Sequence, residues 1–188
     1  MDRLRSMEFY DRLLAFDRER ADETREERCP VCRGRRHSAD YWRKPRGMPG
    51  KLDTLFARRF SFCCEKRDCR KRATPESVRF FGRKVFLGVL VTLCVAMIQG
   101  FTDSRVARLE AAGISRRTLM RWKEWWSKLP KTEEAFWKAA RAKLYPAVKG
   151  DSIDRRLIAS LLSYFEGDLE DRVFEMLVFL RPLTSRSA

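Results

Sequence analysis

The sequence predicts a mainly α-helical chain that carries one small β-rich module held together by cysteines. Two patterns lead to this prediction. Apolar residues recur at helical spacing along most of the chain, and five of its six cysteines lie between residues 29 and 69. Within that stretch, Arg58–Cys64 alternates between polar and apolar residues in the way that a strand does.

The cysteine spacing is typical of a metal site. Cys29 and Cys32 are separated by two residues, and a second group, Cys63, Cys64 and Cys69, follows about thirty residues later. Two such knuckles can supply a tetrahedral set of thiolates, which Zn²⁺ accepts without a geometric preference of its own. The charged N-terminus resembles no secretory signal, so we expect a reducing compartment and a Zn²⁺ cofactor rather than disulfides.

The choice of the third ligand rests on strand parity. Phe60, Phe62 and Cys64 share one face of the predicted strand, which favours Cys64 over Cys63 as the inward-pointing ligand. The predicted metal ligands are therefore Cys29, Cys32, Cys64 and Cys69. Cys63 remains the alternate third ligand, and His37, the one histidine, is the alternate replacement for a cysteine.

The net charge of +15 is concentrated in one part of the chain. Residues 28–84 carry 18 basic and 5 acidic side chains, a net charge of +13. A clustered basic surface is typical of a protein with a polyanionic partner, so we expect nucleic acid, with DNA favoured and RNA as the alternative. The predicted phosphate contacts in this stretch are Lys44, Arg46, Arg58, Arg59, Lys66, Arg67, Arg70, Lys71 and Arg72.

A helix-turn-helix pattern follows downstream. A helix capped by Thr102 or Asp103 runs to Ala111, Gly113 supplies a turn, and Ser115 caps a second helix that begins at Arg116. The N-terminal part of the second helix would enter the DNA major groove, with Arg116, Arg117 and Arg121 on its outward side. The alternative without DNA binding is an ordinary helical hairpin with a solvated basic face.

Composition divides the chain into four segments. These are an N-terminal helical arm (1–28), a zinc ribbon (29–75), a helix-turn-helix domain (76–130) and a nearly neutral helical segment (131–188). Beyond Phe16 the arm is almost wholly charged, which predicts a solvated helix end or a linker. The apolar run Val85–Ile98 is shorter than the ~20 residues of a membrane span, so we expect a buried helix and no membrane association. The fold class is thus a small β zinc ribbon packed on a helix-turn-helix or helical bundle.

Taken in order, these motifs resemble a known family. The Cys-Pro-x-Cys knuckle, the Arg70-Lys71-Arg72 run, Thr74-Pro75 and Ile114-Ser115-Arg116-Arg117 are similar to the N-terminal zinc-ribbon and helix-turn-helix region of bacterial insertion-sequence transposases. The resemblance covers about residues 29–130. It implies binding to transposon DNA ends in the bacterial cytoplasm, with association to the nucleoid. It also implies metal ligation by the four predicted cysteines and a recognition helix bearing Arg116, Arg117 and Arg121.

Such transposases continue into a catalytic domain in which three carboxylates bind Mg²⁺. Here the pattern of residues 131–188 predicts helices. Their acidic residues lie near the predicted helix ends, where capping and the helix dipole explain them. We therefore expect a non-enzymatic accessory protein of a mobile genetic element that acts with a separate transposase or recombinase. The alternatives are a diverged transposase or nuclease and a protein-scaffold subunit of a nucleoprotein complex, and self-association into a homo-oligomer is compatible with each.

Overall fold

The computed structural model describes residues 6–43, 54–80, 103–111, 114–132 and 162–184. Four helices lie in these residues: α1 (Met7–Glu26), α2 (Asp103–Ala111), α3 (Arg116–Thr132) and α4 (Leu169–Leu180). Five short strands accompany them: β1 (Arg36–Ser38), β2 (Tyr41–Trp42), β3 (Arg58–Arg59), β4 (Phe62–Cys64) and β5 (Arg72–Ala73). Single 3₁₀ turns occupy Thr54–Ala57 and Arg181–Thr184. The chain divides into two compact units, one formed by Met1–Gly88 with Val173–Ala188 and the other by Val89–Arg172.

In the first unit, α1 packs against α4. The Ser6 side chain caps α1 by accepting a hydrogen bond from the Phe9 amide at 3.2 Å. Leu13 is fully buried, as is Met176 of α4. The rings of Phe16 and Phe174 meet edge to face with their centroids 5.9 Å apart. This helix pair contributes apolar core residues that lie outside the cysteine knuckles.

Two small antiparallel sheets connect this core to the cysteines. The three-stranded sheet has the order β1-β4-β5, with Arg36 opposite Cys64 and Phe62 opposite Ala73. The two-stranded sheet pairs β2 with β3. Since β4 is central, its alternate side chains Phe62 and Cys64 are buried. The predicted combination of helices with a small β module is thereby confirmed at this coarse level.

The charged half of α1 corrects one expectation. Asp17 lies in the segment expected to be solvated, yet its side chain is only 1% exposed. Its carboxylate accepts hydrogen bonds from the Ser77 hydroxyl at 2.6 Å, the Val78 amide at 2.8 Å and Arg79 Nε at 2.7 Å. Arg79 is itself fully buried, and its guanidinium also donates to the carbonyl oxygens of Phe56 and Arg58. A buried ion pair therefore fastens α1 to the end of the cysteine module.

The second unit contains α2 and α3. Their observed starts and the end of α2 agree with the predicted helices, and α3 extends beyond Trp126 to Thr132. Ile114 is 3% exposed between them, and the Ser115 hydroxyl accepts from the Thr118 amide at 3.4 Å, as a capping residue should. The Glu110 carboxylate accepts from the Arg116 amide at 3.1 Å. Whether this helix pair is a DNA-binding helix-turn-helix stays a prediction.

Several predicted elements lie outside the described residues. These are the stretch that contains Lys44 and Arg46, the apolar run Val85–Ile98 and residues 133–161 of the predicted C-terminal helical segment. Among the helices that the structure does describe, none combines the length and apolar character needed to cross a membrane.

Candidate metal centre

Four cysteine side chains converge in the first unit. The Sγ atoms of Cys29, Cys32, Cys64 and Cys69 all lie within 4.8 Å of one another. Cys29 and Cys69 are 3.6 Å apart, and Cys32 and Cys64 are 3.3 Å apart. Cys64 is fully buried and Cys29 is 2% exposed, whereas the other two are half-buried. Within the described ranges, these cysteines are the one group of three or more His, Cys, Asp or Glu side chains placed to share an ion.

Both knuckles fold by the same local device. In the first knuckle (Cys29–Gly34), the Arg33 amide donates to the Cys29 carbonyl at 2.8 Å and the Cys29 amide donates to the Gly34 carbonyl at 3.0 Å. In the second knuckle (Cys64–Arg70), the Arg70 amide donates to the Lys66 carbonyl at 3.0 Å. Arg33 and Arg70, which each follow a clustered cysteine, have φ angles of 57° and 45°. In each knuckle the backbone therefore turns at a residue with left-handed φ, directly after the last cysteine of that knuckle.

Hydrogen bonds hold the two knuckles at a fixed spacing. The Glu65 amide donates to the Arg35 carbonyl at 3.0 Å, and the Arg35 amide donates back to Glu65 Oε1 at 2.9 Å. Lys66 Nζ reaches across to the Cys32 carbonyl at 3.1 Å. The Cys64 amide donates to the Lys71 carbonyl at 3.0 Å, which closes the second knuckle onto the sheet. These bonds preorganise the four sulfur atoms.

Gly34 is required by space rather than by backbone conformation. A Cβ atom at this position would lie 3.0 Å from Cys64 Sγ, 3.2 Å from Lys66 Cγ and 3.4 Å from Cys32 Sγ. The glycine is buried. Its missing side chain is therefore what allows the first knuckle to approach the thiols of both knuckles.

Two thiols of the cluster have pKa values that are shifted in opposite directions. The backbone amides of Cys32 and Val31 point at the Cys29 sulfur and lower the pKa of that thiol to about 6. Burial raises the pKa of the Cys64 thiol to about 12. A bound cation would favour the thiolate form at both positions, so metal binding would release a proton from Cys64 at neutral pH.

The two alternate ligands lie outside this cluster. Cys63 is the neighbour of Cys64 on β4, and its thiol points away to donate to the Arg70 carbonyl at 3.4 Å. His37 is exposed, with Nε2 3.5 Å from Glu65 Oε2. The parity argument that favoured Cys64 agrees with the observed geometry.

The residues predicted to contact nucleic acid differ in their exposure to solvent. Lys66, Arg67, Arg70, Lys71 and Arg72 are exposed on the second knuckle and β5. The exposed arginines of α3 are Arg116, Arg117 and Arg121. Lys44 and Arg46 lie outside the described residues.

The two arginines of β3 differ from each other. Arg58 is partly exposed and pairs with Asp40 at 2.7 Å. Arg59 was expected to contact phosphate, and this expectation is wrong because its side chain is 2% exposed and donates to the Pro75 carbonyl at 2.6 Å. Burial lowers the pKa of the Arg59 guanidinium.

Two exposed cations were missed by the sequence interpretation. Arg33 lies in the first knuckle and Arg35 follows its last residue, Gly34, and both side chains are exposed. Their place directly after Cys32 is the signal that would have found them, because a tight knuckle turns its following residues outward. We call the exposed cations of the two knuckles and β5 the basic knuckle surface: Arg33, Arg35, Lys66, Arg67, Arg70, Lys71 and Arg72.

The fold and the site define a partly helical protein with a small antiparallel sheet and a four-cysteine cluster that could bind a metal ion such as zinc. In comparisons with known proteins, no family model matches this sequence, and neither a curated protein nor a solved structure shows significant similarity to it.

Proposed function

We propose that the protein is a zinc-stabilised DNA-binding protein. The donor set supports Zn²⁺, because four thiolates in a closed arrangement are typical of structural zinc sites. Tetrahedral zinc with Zn–S bonds of about 2.3 Å requires sulfur atoms about 3.8 Å apart. The observed separations of 3.3 Å and 3.6 Å, with an upper limit of 4.8 Å, bracket that value.

The observation that carries the DNA-binding proposal is the basic knuckle surface. Its seven exposed cations are gathered by the same fold that gathers the four thiols. Glu65 and Asp68 lie in the same stretch and offset two of these seven charges, which leaves a net charge of +5. Phosphate contacts of this kind position a protein on DNA without reading sequence.

The start of α3 supports a second point of contact. Its first turn contains Arg116 and Arg117 and no acidic residue. Amides at a helix N-terminus and two exposed arginines both favour an anion, and arginine also pairs with guanine in the major groove. In this proposal the knuckles hold the phosphate backbone and α3 reads bases.

The resemblance to insertion-sequence transposases supports the further proposal that this activity serves a mobile genetic element. The protein would bind element DNA in the cytoplasm, close to the nucleoid, and act beside a separate transposase or recombinase. Catalysis would belong to that partner.

The metal is tested by substitution within the Cys63-Cys64 pair. Purified protein should contain one zinc ion per chain by mass spectrometry of the metal content. Cys64→Ser should abolish it, whereas the matched control Cys63→Ser should retain it, because only the Cys64 sulfur lies in the cluster. Equal retention by both variants would contradict the proposed ligand set.

DNA binding is tested by anisotropy of a labelled duplex over a salt series. Affinity should fall steeply with salt, and Lys71→Gln/Arg72→Gln should reduce the magnitude of the log–log slope by about 2 if both side chains contact phosphate. Arg18→Gln/Arg25→Gln is the matched control, because it removes the same charge from exposed positions of α1. An equal change in both variants would show that net charge, rather than the basic knuckle surface, governs binding.

A further inference from the structure

An aromatic pair on β2 lies open to solvent. Trp42 is 62% exposed and Tyr41 is 40% exposed, although the two residues point to opposite faces of the strand. A large indole surface left in water costs free energy unless a partner covers it. The fold therefore leaves Trp42 available for a contact that the two-stranded sheet itself does not make.

A charged side chain lies beside Trp42. Trp42 lies directly opposite Arg58 in the β2–β3 pair, so the two side chains share one face of the sheet. Asp40 holds the Arg58 guanidinium through Nη2 at 2.7 Å and uses its other oxygen to accept from the Ser61 amide at 2.9 Å. The Asp40 side chain is only 9% exposed, whereas that of Arg58 is 40% exposed. The remaining N–H groups of Arg58 can thus meet an anion while Asp40 fixes their position.

The sequence that follows Trp42 is also basic. Residues 43–51 contain four basic side chains and no acidic one. An apolar protein surface would gain little from Arg58 beside Trp42. A nucleotide suits this pair, because the base presents a flat π face and the phosphate presents a negative charge.

We infer that Trp42 and Arg58 form a stacking site for an unpaired base of single-stranded DNA, with the indole against the base and the guanidinium at its phosphate. This inference rests on the proposed DNA-binding function and specifies the form of DNA that this surface takes. Bases within an intact duplex are stacked on each other and cannot offer a face to Trp42. The site would therefore distinguish melted or frayed DNA from closed duplex.

The test uses the full chain with three labelled probes of equal length: a single strand, its duplex, and a strand with the same backbone in which all central bases are replaced by abasic sites. Trp42→Ala should weaken binding to the single strand by about tenfold or more and leave duplex affinity within about twofold. Trp42→Phe should retain most of the single-strand affinity. On the abasic strand, wild type and Trp42→Ala should bind equally, because no base is present to stack.

The outcomes separate this inference from the proposed function. Binding of wild type to the duplex, with no loss of single-strand affinity in Trp42→Ala, would overturn the stacking site and leave DNA binding intact. Equal losses on the single strand and the abasic strand would also overturn it. Failure of wild type to bind any probe would overturn the proposed function itself. Unchanged zinc content and circular dichroism in Trp42→Ala would confirm that the variant folds.

Discussion

At Gly34, the absence of one atom, the Cβ, affects the geometry of the cysteine cluster. The space that a Cβ would need is already filled by the sulfur atoms of Cys64 and Cys32 and by the Lys66 stem. The φ angle of Gly34 is not in the left-handed region, so substitution tests space alone. A methyl group at residue 34 would therefore have to displace these neighbouring atoms, two of which are sulfur atoms of the cluster.

We expect Gly34→Ala to weaken zinc binding by about tenfold, because small displacements of the atoms that position a ligand commonly cost that much in affinity. Competition with a chromophoric zinc chelator measures the change. Ala73→Gly, which also alters one methyl group but lies on β5 outside the two knuckles, is the control and should retain wild-type zinc affinity. Wild-type zinc affinity in Gly34→Ala would show that the neighbouring side chains can move to accommodate the added methyl group.

Asp17 shows the opposite case, in which a polar residue belongs to the core. It and Arg79 are both buried, and the hydrogen bonds of the Asp17 carboxylate and the Arg79 guanidinium connect residues more than twenty positions apart in the sequence. The helical repeat places Asp17 on the face of Tyr10, Leu14 and Ala21, but nothing local in the sequence supplies its partner Arg79. Removing one partner of such a pair leaves the other charge buried and uncompensated.

We expect Asp17→Ala to lower the free energy of unfolding by about 3–5 kcal/mol. Asp11→Ala removes an exposed carboxylate from the same helix and should change it by less than about 0.5 kcal/mol. Urea denaturation of the zinc-saturated proteins measures both. A loss below about 1 kcal/mol in Asp17→Ala would mean that the ion pair contributes little beyond what solvent could replace.

At the scale of elements, the sequence predicts what depends on neighbouring residues. The ends of α2, the start of α3 and the inward position of Cys64 follow from capping residues and strand parity, and the structure agrees. The burial of Arg59 could not be predicted in this way, because it depends on a hydrogen bond to Pro75 on a different segment. The pairing of β1 with β4 likewise joins residues more than twenty positions apart.

The face of α3 provides the prediction at this scale. Arg117 and Arg121 are four residues apart, so they lie on one side of the helix, whereas Lys123 is rotated to another side. If α3 reads bases, Arg117→Ala/Arg121→Ala should reduce discrimination between a sequence selected from a random duplex pool and its scrambled version by about tenfold or more. Lys123→Ala should leave that discrimination unchanged. Equal losses of affinity for both duplexes would assign the two arginines to phosphate contacts instead.

For the whole molecule, the four thiols and the helix pair α2–α3 belong to different compact units. Metal binding contributes free energy to the folding of the part that supplies the ligands, about 10–16 kcal/mol in small zinc domains. The unit that contains α1 and α4 also has an apolar core built around residues such as Leu13 and Met176. Loss of zinc should therefore affect the five strands most strongly.

Hydrogen exchange followed by mass spectrometry tests this division. After chelation, we expect amides of residues 29–43 and 58–73 to exchange rapidly, because these short strands have few hydrogen bonds and a bound metal would link the two knuckles beside them. Amides of α2 and α3 should keep their protection, since their unit contains none of the four ligands. Re-addition of Zn²⁺ should restore the slow exchange of the strands. Loss of protection in α3 on chelation would show that zinc stabilises both units together, and DNA binding by α3 would then also depend on the metal.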